Sequence, residues 1–540
     1  MKYEIFLTSV LRFPLRDRFT ARAILICAVF IYPLSIAFTL AAQSKNDETR
    51  QLVKQAKKFV RRGEFSEAEK LLRRAVETSA QESGKDGTDA KLNLAYALLK
   101  QQQLREAHEL SLAIARSEPK NASAFAILGT IFLNAGNFRD ARLALLSALQ
   151  IDDRQALAWA GLGTLSFFEN KIQIGLSQLQ TAVFLEPSEP DFLFTLAQVA
   201  SRAEDFKQSA EAYERFLQIS PQTDVERRAR IKGLISFLRF LGNKKSLYSL
   251  RGAPESSINF RLVNDRPIIQ LKINGRESEP LNFVIDTGSG ISVISEETAQ
   301  RLKIKAITRG GFARGVGGDG KFEIVYGFLR SVAVGAVEIR SVPVYIRRFH
   351  QNNDKIDGYV GLSLISKFLT TIDYGNLTFA LRKKDKESGG DLKKQDGGEN
   401  QKNEAVSIPL RLTSSGFLSG EVLLGGVEVP FNFIVDTGAS ISVISNEIAG
   451  LQEMKPFAGK EKVRVVGAAG VIEDMPSYIL PKISFGEHSR ERVKAVALNL
   501  SVINETSGFE QAGILGGNFL KNYRLTFDFA NSKVVFVPIK

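Results

Sequence analysis

Two periodicities divide this chain. From about residue 48 to 245 apolar positions keep a helical spacing nested in a longer period of 34: Leu94, Leu128, Leu162 and Leu196 share one register, and Leu104, Phe138, Ile172 and Phe206 another. Small residues repeat in step, at Ala95, Gly129, Gly163 and Ala197 and again at Ala107, Ala141, Gly175 and Ser209, as needed where paired helices approach closely. Pro119, Asp153, Pro187 and Pro221 close the units. An earlier unit with Ala56, Phe59, Gly63, Phe65 and Ala68 precedes the insertion QESGKDGTD at a spacing of 39, making five, and an amphipathic helix from Asp224 to Leu241 is expected to cap them. From about residue 256 the period falls to two. Ile268, Leu271 and Ile273 run into an Asn274-Gly275 turn, and Leu281, Phe283 and Ile285 then alternate up to Asp286. The scheme returns with Leu418, Val422 and Leu424 before Gly425-Gly426, then Phe431, Phe433 and Val435 before Asp436.

The β-rich part is a duplication. LNFVIDTGSGISVIS from Leu281 and FNFIVDTGASISVIS from Phe431 place Asp286 and Asp436 150 residues apart. At the same offset Val316, Gly317 and Gly320 answer Val466, Gly467 and Gly470. Farther on, GYVGLSLISKF from Gly358 answers GILGGNFLKNY from Gly513 at an offset of 155, so the second copy has gained five residues. A carboxylate carried twice has a chemical meaning. Two aspartates held face to face cannot both ionise cheaply, so one keeps a proton and the pair works as acid and base about a shared water.

Composition narrows the classes. At 540 residues, with 44% apolar and 24% charged positions, the chain is globular and multidomain. The formal charge of +13 is spread among acids with no pure Lys/Arg block, so a nucleic-acid partner is not expected. Cys27 is the only cysteine, and His108, His350 and His488 have no ligand spacing, so neither a metal, a cofactor nor a Ser-His-Asp triad is expected. Arg12, Arg16, Arg18 and Arg22 precede an apolar run from Ala23 to Ala42, which reads as an export signal or a membrane anchor within residues 1–45 and places the bulk of the protein at the cell envelope, outside the cytoplasm. Residues 383–405, rich in Gly, Lys and Asp, read as an exposed linker.

Over residues 46–250 the array resembles the tetratricopeptide repeat, with Trp159, Leu162 and Gly163 in its W-x-x-L-G signature. Whether its groove holds a partner protein or the array is a rigid spacer stays open at this point. Residues 256–382 and 406–540 resemble the retropepsin-like aspartic peptidases through Asp-Thr-Gly, a Gly-rich flap and a late apolar-Gly element, each present twice. The expected fold is therefore multidomain: an all-α tetratricopeptide solenoid followed by two all-β retropepsin-like acid-protease lobes.

The resemblance implies that Asp286 and Asp436 are catalytic, supported by Thr287, Gly288, Ser289, Thr437 and Gly438. It implies flaps at Gly317, Gly318, Gly467 and Gly470, and loop-supporting glycines at Gly361 and Gly516. Thr287 and Thr437 are expected to exchange hydrogen bonds between the loops. Ser289 is expected to bond the outer oxygen of Asp286 and make it the more acidic partner, since the second copy has Ala439 there. Neither flap carries a tyrosine beside its glycine, and Ala468-Ala469 replaces Gly318-Asp319. The implied activity is aspartic endopeptidase hydrolysis of a polypeptide by a monomeric pseudo-dimer, with the repeats recruiting substrate or partner. The alternative is a catalytically inactive peptide-binding or assembly scaffold of the cell envelope.

Overall fold

The computed structural model describes residues 46–79, 85–275, 280–317, 320–350, 354–383 and 405–539. The apolar run Ala23 to Ala42, nearly all of the expected linker and flap residue Gly318 lie outside the described residues. Among those described, no helix is long and apolar enough to cross a membrane.

Helices stand where the 34-residue period places them: α1 (46–61), α2 (Phe65–Ser79), α3 (Lys85–Lys100), α4 (Leu104–Ser117), α5 (Ala122–Asn134), α6 (Phe138–Ile151), α7 (Ala156–Phe168), α8 (Ile172–Leu185), α9 (Pro190–Arg202), α10 (Phe206–Ile219) and the capping helix α11 (Val225–Gly242). Polar side chains start several of them. Asn121, Asn137, Asp205 and Asp224 accept the N–H of Ala124, Asp140, Gln208 and Arg227, satisfying donors that a helix leaves unpaired. The periodic small residues lie at the helix crossings. A β-carbon on Gly163 would sit 2.7 Å from Leu179 Cγ and one on Gly175 2.8 Å from the Gly163 carbonyl, while the Ser209 hydroxyl donates to Ala197 O at 2.7 Å.

Two compact units result, one ending at Gln103 and one running from Leu104 to Lys540. In the first, α2 turns Ala68, Leu72 and Ala75 inward, and Gln101 donates to Glu69 at 2.8 Å. In the second, the helices and the β-structure share one hydrophobic core running from Leu133 to Phe536. Phe138 and Phe168 each lie 4.9 Å, ring to ring, from Phe509, the Glu510 N–H donates to Asn134 O at 2.8 Å, and the Asn170 amide donates to Phe529 O at 2.7 Å.

Beside this contact Glu169, 11% exposed, holds Arg142 at 2.5 Å, Lys171 at 2.8 Å and Arg411 at 3.1 Å. Burial pushes its carboxyl up, but the hydrogen bonds from Arg142 and Lys171 and the charge of Arg411 outweigh this and hold it below the ordinary glutamate value. A lowered folded-state pKa contributes stability that is present above the unfolded value and lost as pH falls through the folded one. The melting-temperature gap between the unaltered chain and Glu169→Gln should therefore be widest at neutral pH and close as pH falls below the ordinary glutamate range, about 4.3. A gap independent of pH would show that the cluster does not act through its charge.

The β-structure forms two lobes with a shared base. In lobe 1, strand Leu281–Ile285 lies between Arg266–Ile273, antiparallel, and Gly358–Val360, parallel. In lobe 2, Phe431–Val435 lies likewise between Leu418–Leu424 and Gly513–Leu515. The expected Asn274-Gly275 turn is present with both residues at positive φ, 58° and 64°. A six-stranded sheet then takes strands from both copies, in the order Val406–Pro409, Lys533–Pro538, Tyr523–Asp528, Phe368–Asp373, Thr378–Lys383, Glu255–Asn259. At its centre Thr371 pairs with Thr526, hydroxyls 3.1 Å apart. These threonines are equivalent in the duplication, so the pseudo-twofold axis passes between them.

Candidate active site

Each aspartate follows the last residue of a buried strand. The Asp286 N–H donates to Val360 O and the Asp436 N–H to Leu515 O, both at 3.0 Å, which fixes the loop start against the parallel neighbour. The two loops then interlock. The Thr287 hydroxyl donates to Val435 O and the Thr437 hydroxyl to Ile285 O, both at 2.7 Å; the Thr437 N–H donates to Thr287 Oγ1 at 3.0 Å and the Thr287 N–H to Thr437 Oγ1 at 3.2 Å. Both threonines are fully buried, so these bonds form a network without water. The loops thus meet as the expected exchange requires.

Glycine is needed after each threonine for space. A β-carbon on Gly438 would sit 2.7 Å from Asp286 Cγ, and one on Gly288 would overlap the Asp436 carboxylate outright. Each loop glycine therefore forms a wall for the opposite acid. The late glycines act one layer behind: β-carbons on Gly361 and Gly516 would press within 2.7 Å of the Ile291 and Ile441 backbone. Through these positions Leu362 N–H donates to Ser289 O at 2.8 Å and Gly517 N–H to Ala439 O at 2.7 Å.

Two serines not anticipated from the sequence complete the support. Ser292 Oγ accepts the Gly361 N–H at 3.0 Å and Ser442 Oγ the Gly516 N–H at 3.1 Å. The signal was present: both serines stand six residues after their aspartate, in both copies.

The expected Ser289 bond is not made. The Ser289 hydroxyl donates to Ile291 O at 2.9 Å and not to Asp286, because the loop turns it back on its own backbone. Burial, then the charge of Asp436 and the hydrogen bond with it, push Asp286 well above the ordinary carboxyl range, against a smaller opposing effect of the Gly288 N–H. Burial also raises Asp436, but the Gly438 N–H, which donates to Oδ1 at 2.7 Å, the bond from Asp286, and the N–H groups of Ala439 and Gly288 oppose it. Burial thus raises both carboxyls, and the facing pair shares one proton between them.

Two hairpins, one from each lobe, meet at their ends. Thr308–Arg314 with Lys321–Val334 form flap 1, and Ala458–Gly467 with Gly470–Phe485 form flap 2. The Ala469 N–H donates to Val316 O at 2.9 Å. Gly317 lies against the Gly470 backbone and Gly467 against the Val316 carbonyl so closely that a β-carbon at either glycine would overlap them. Flap 1 is held along its length by α11. Gly233 lets that helix press on the Arg309-Gly310 backbone, Phe237 stacks on Tyr326 at 4.5 Å, Arg230 donates to Phe312 O at 3.0 Å, and Lys321 pairs with Glu226 at 2.6 Å.

Comparison with known proteins fits this division. The aspartyl protease family model matches twice, over residues 269–364 and 420–519. The tetratricopeptide repeat model matches over residues 53–122, 92–156 and 161–223. No curated protein matches the chain. Solved structures similar to it include a thermophilic TPR protein of Thermus thermophilus, at 18% identity over 35% of this chain and 98% of that one with a TM-score of 0.30. Others are pilF of Pseudomonas aeruginosa, at 17% over 37% and 89% with 0.27, and a MamA double mutant, at 21% over 32% and 94% with 0.23.

Proposed function

We propose that this chain, a tetratricopeptide array followed by a tandem pair of aspartyl-protease domains, is an aspartic endopeptidase whose dyad is Asp286 and Asp436. The observation that supports this best is the reciprocal Thr287–Thr437 interlock, which sets the two acids of one molecule opposite each other. A water between them gives its proton to the ionised member of the pair while its oxygen attacks a peptide carbonyl, and the protonated member donates to the carbonyl oxygen as the tetrahedral species forms. That species collapses with a proton passed to the departing amine, releasing two peptides. The flaps cover an extended substrate, excluding water and pairing with its backbone. The repeats recruit substrate or a partner protein, and the run Ala23 to Ala42 places the enzyme at the cell envelope.

The full chain should cleave an unfolded protein, resist EDTA, and be blocked by a pepstatin-type mimic of the tetrahedral state. Because both acids come from one molecule, it should elute as a monomer and keep its specific activity on dilution. Binding of peptides without cleavage would favour the scaffold reading, and loss of activity on dilution would move the dyad to a pairing between chains.

A further inference from the structure

The duplicated cleft is not chemically symmetric. Arg347 pairs in register with Ser295, and its counterpart Leu498 pairs with Ser445. Tyr359 pairs with Val284 and Val293, and its counterpart Ile514 with Ile434 and Val443. In lobe 2 the two positions belong to one apolar cluster with Val443 and Leu500. In lobe 1 they are a guanidinium and a phenol. The Arg347 guanidinium lies over the ring of Phe322 of flap 1, at 5.1 Å, and over that of Phe349, at 5.7 Å, within electrostatic reach of Asp286 and Tyr359. Its Nε is buried without a hydrogen-bond partner, and among the described residues no carboxylate forms an ion pair with it. A charge kept from water and lacking a counter-ion is costly, and an arriving carboxylate recovers that cost.

We propose that Arg347 forms the base of a subsite on the lobe-1 side of the cleft that takes an acidic side chain of the substrate close to the scissile bond, while the lobe-2 side, floored by Leu498 and Ile514, takes an apolar one. The aromatic faces of Phe322 and Phe349 hold the guanidinium plane, leaving its edge to form two parallel bonds to a carboxylate. This subsite rests on the peptidase reading and adds a substrate class to it.

A peptide library digested by the full chain should show Asp or Glu favoured at one position, on one side of the cut only. For matched Glu and Gln peptides at that position the kcat/KM ratio should be about 30 or more, the scale of a desolvated charge pair. Arg347→Leu, which copies lobe 2, should bring the ratio to about 1, and Arg347→Lys should retain part of it, each checked for an unchanged melting transition. A ratio near 1 in the unaltered chain, or one that survives Arg347→Leu, overturns the subsite. An equal loss for both peptides with a displaced pH profile also overturns it, by assigning Arg347 to the positioning of Asp286. Should nothing be cleaved, the peptidase reading fails separately, and fluorescence anisotropy decides the subsite: the Glu peptide must bind more tightly than the Gln peptide, and the difference must vanish in Arg347→Leu.

Discussion

Asp286→Asn and Asp436→Asn are each expected to lower kcat/KM on an unfolded protein by about 10³-fold or more, the range lost when a positioned acid or base is removed. Either asparagine leaves the pair unable to hold one proton and one negative charge together, so the acid and base roles are no longer both filled. Neither loss should come from unfolding, because the Thr287–Thr437 network is untouched. A raised folded-state pKa makes a stability contribution that is complete below the unfolded value and lost as pH rises through the folded one. Asp286 is such a group, so the melting temperature of Asp286→Asn should gain on the unaltered chain as pH rises from acid toward neutral. Retained turnover in either variant, by fluorogenic casein digestion, would reject the shared-water mechanism.

The same duplication decided what was legible beforehand. Features set by local pattern and present in both copies could be read: the strand entering each aspartate, the turn at Asn274-Gly275, and the glycines at 361 and 516. The helix pairs could be read as well, because Gly163 and Gly175 or Ala197 and Ser209 recur at the spacing at which helices cross. Ser292 and Ser442 carried the same signal and were passed over. Arg347 and Tyr359 carried none, since each stands in one copy only and its role is visible only beside Leu498 and Ile514. The Ser289 bond was illegible for a related reason: where its hydroxyl points depends on the closed loop, which turns it to Ile291 O.

Separability of the array from the lobes was also beyond the sequence. The change of period near residue 250 suggests a boundary, yet the structure shows the residues on either side sharing one core. A piece beginning at residue 249 would strip α11 from flap 1, exposing Tyr326 and Phe328, and α5 to α7 from lobe 2, exposing Phe509. It would also leave Arg411 without Glu169. At roughly 1.5–3 kcal/mol for each large apolar side chain returned to water, these three aromatic groups alone represent about 5–9 kcal/mol, comparable with the whole stability of an ordinary domain. Residues 249–540 alone are therefore expected to aggregate or to melt far below the full chain, whereas residues 104–540, which keep these contacts, should stay close to it in melting temperature and in specific activity. Because α11 holds flap 1 along its length, any soluble form of the shorter piece should also lose turnover, since a loosened flap no longer closes on substrate. A lobes-only piece as stable and as active as the full chain would mean that the helices of residues 104–242 merely rest on the catalytic body and do not complete it.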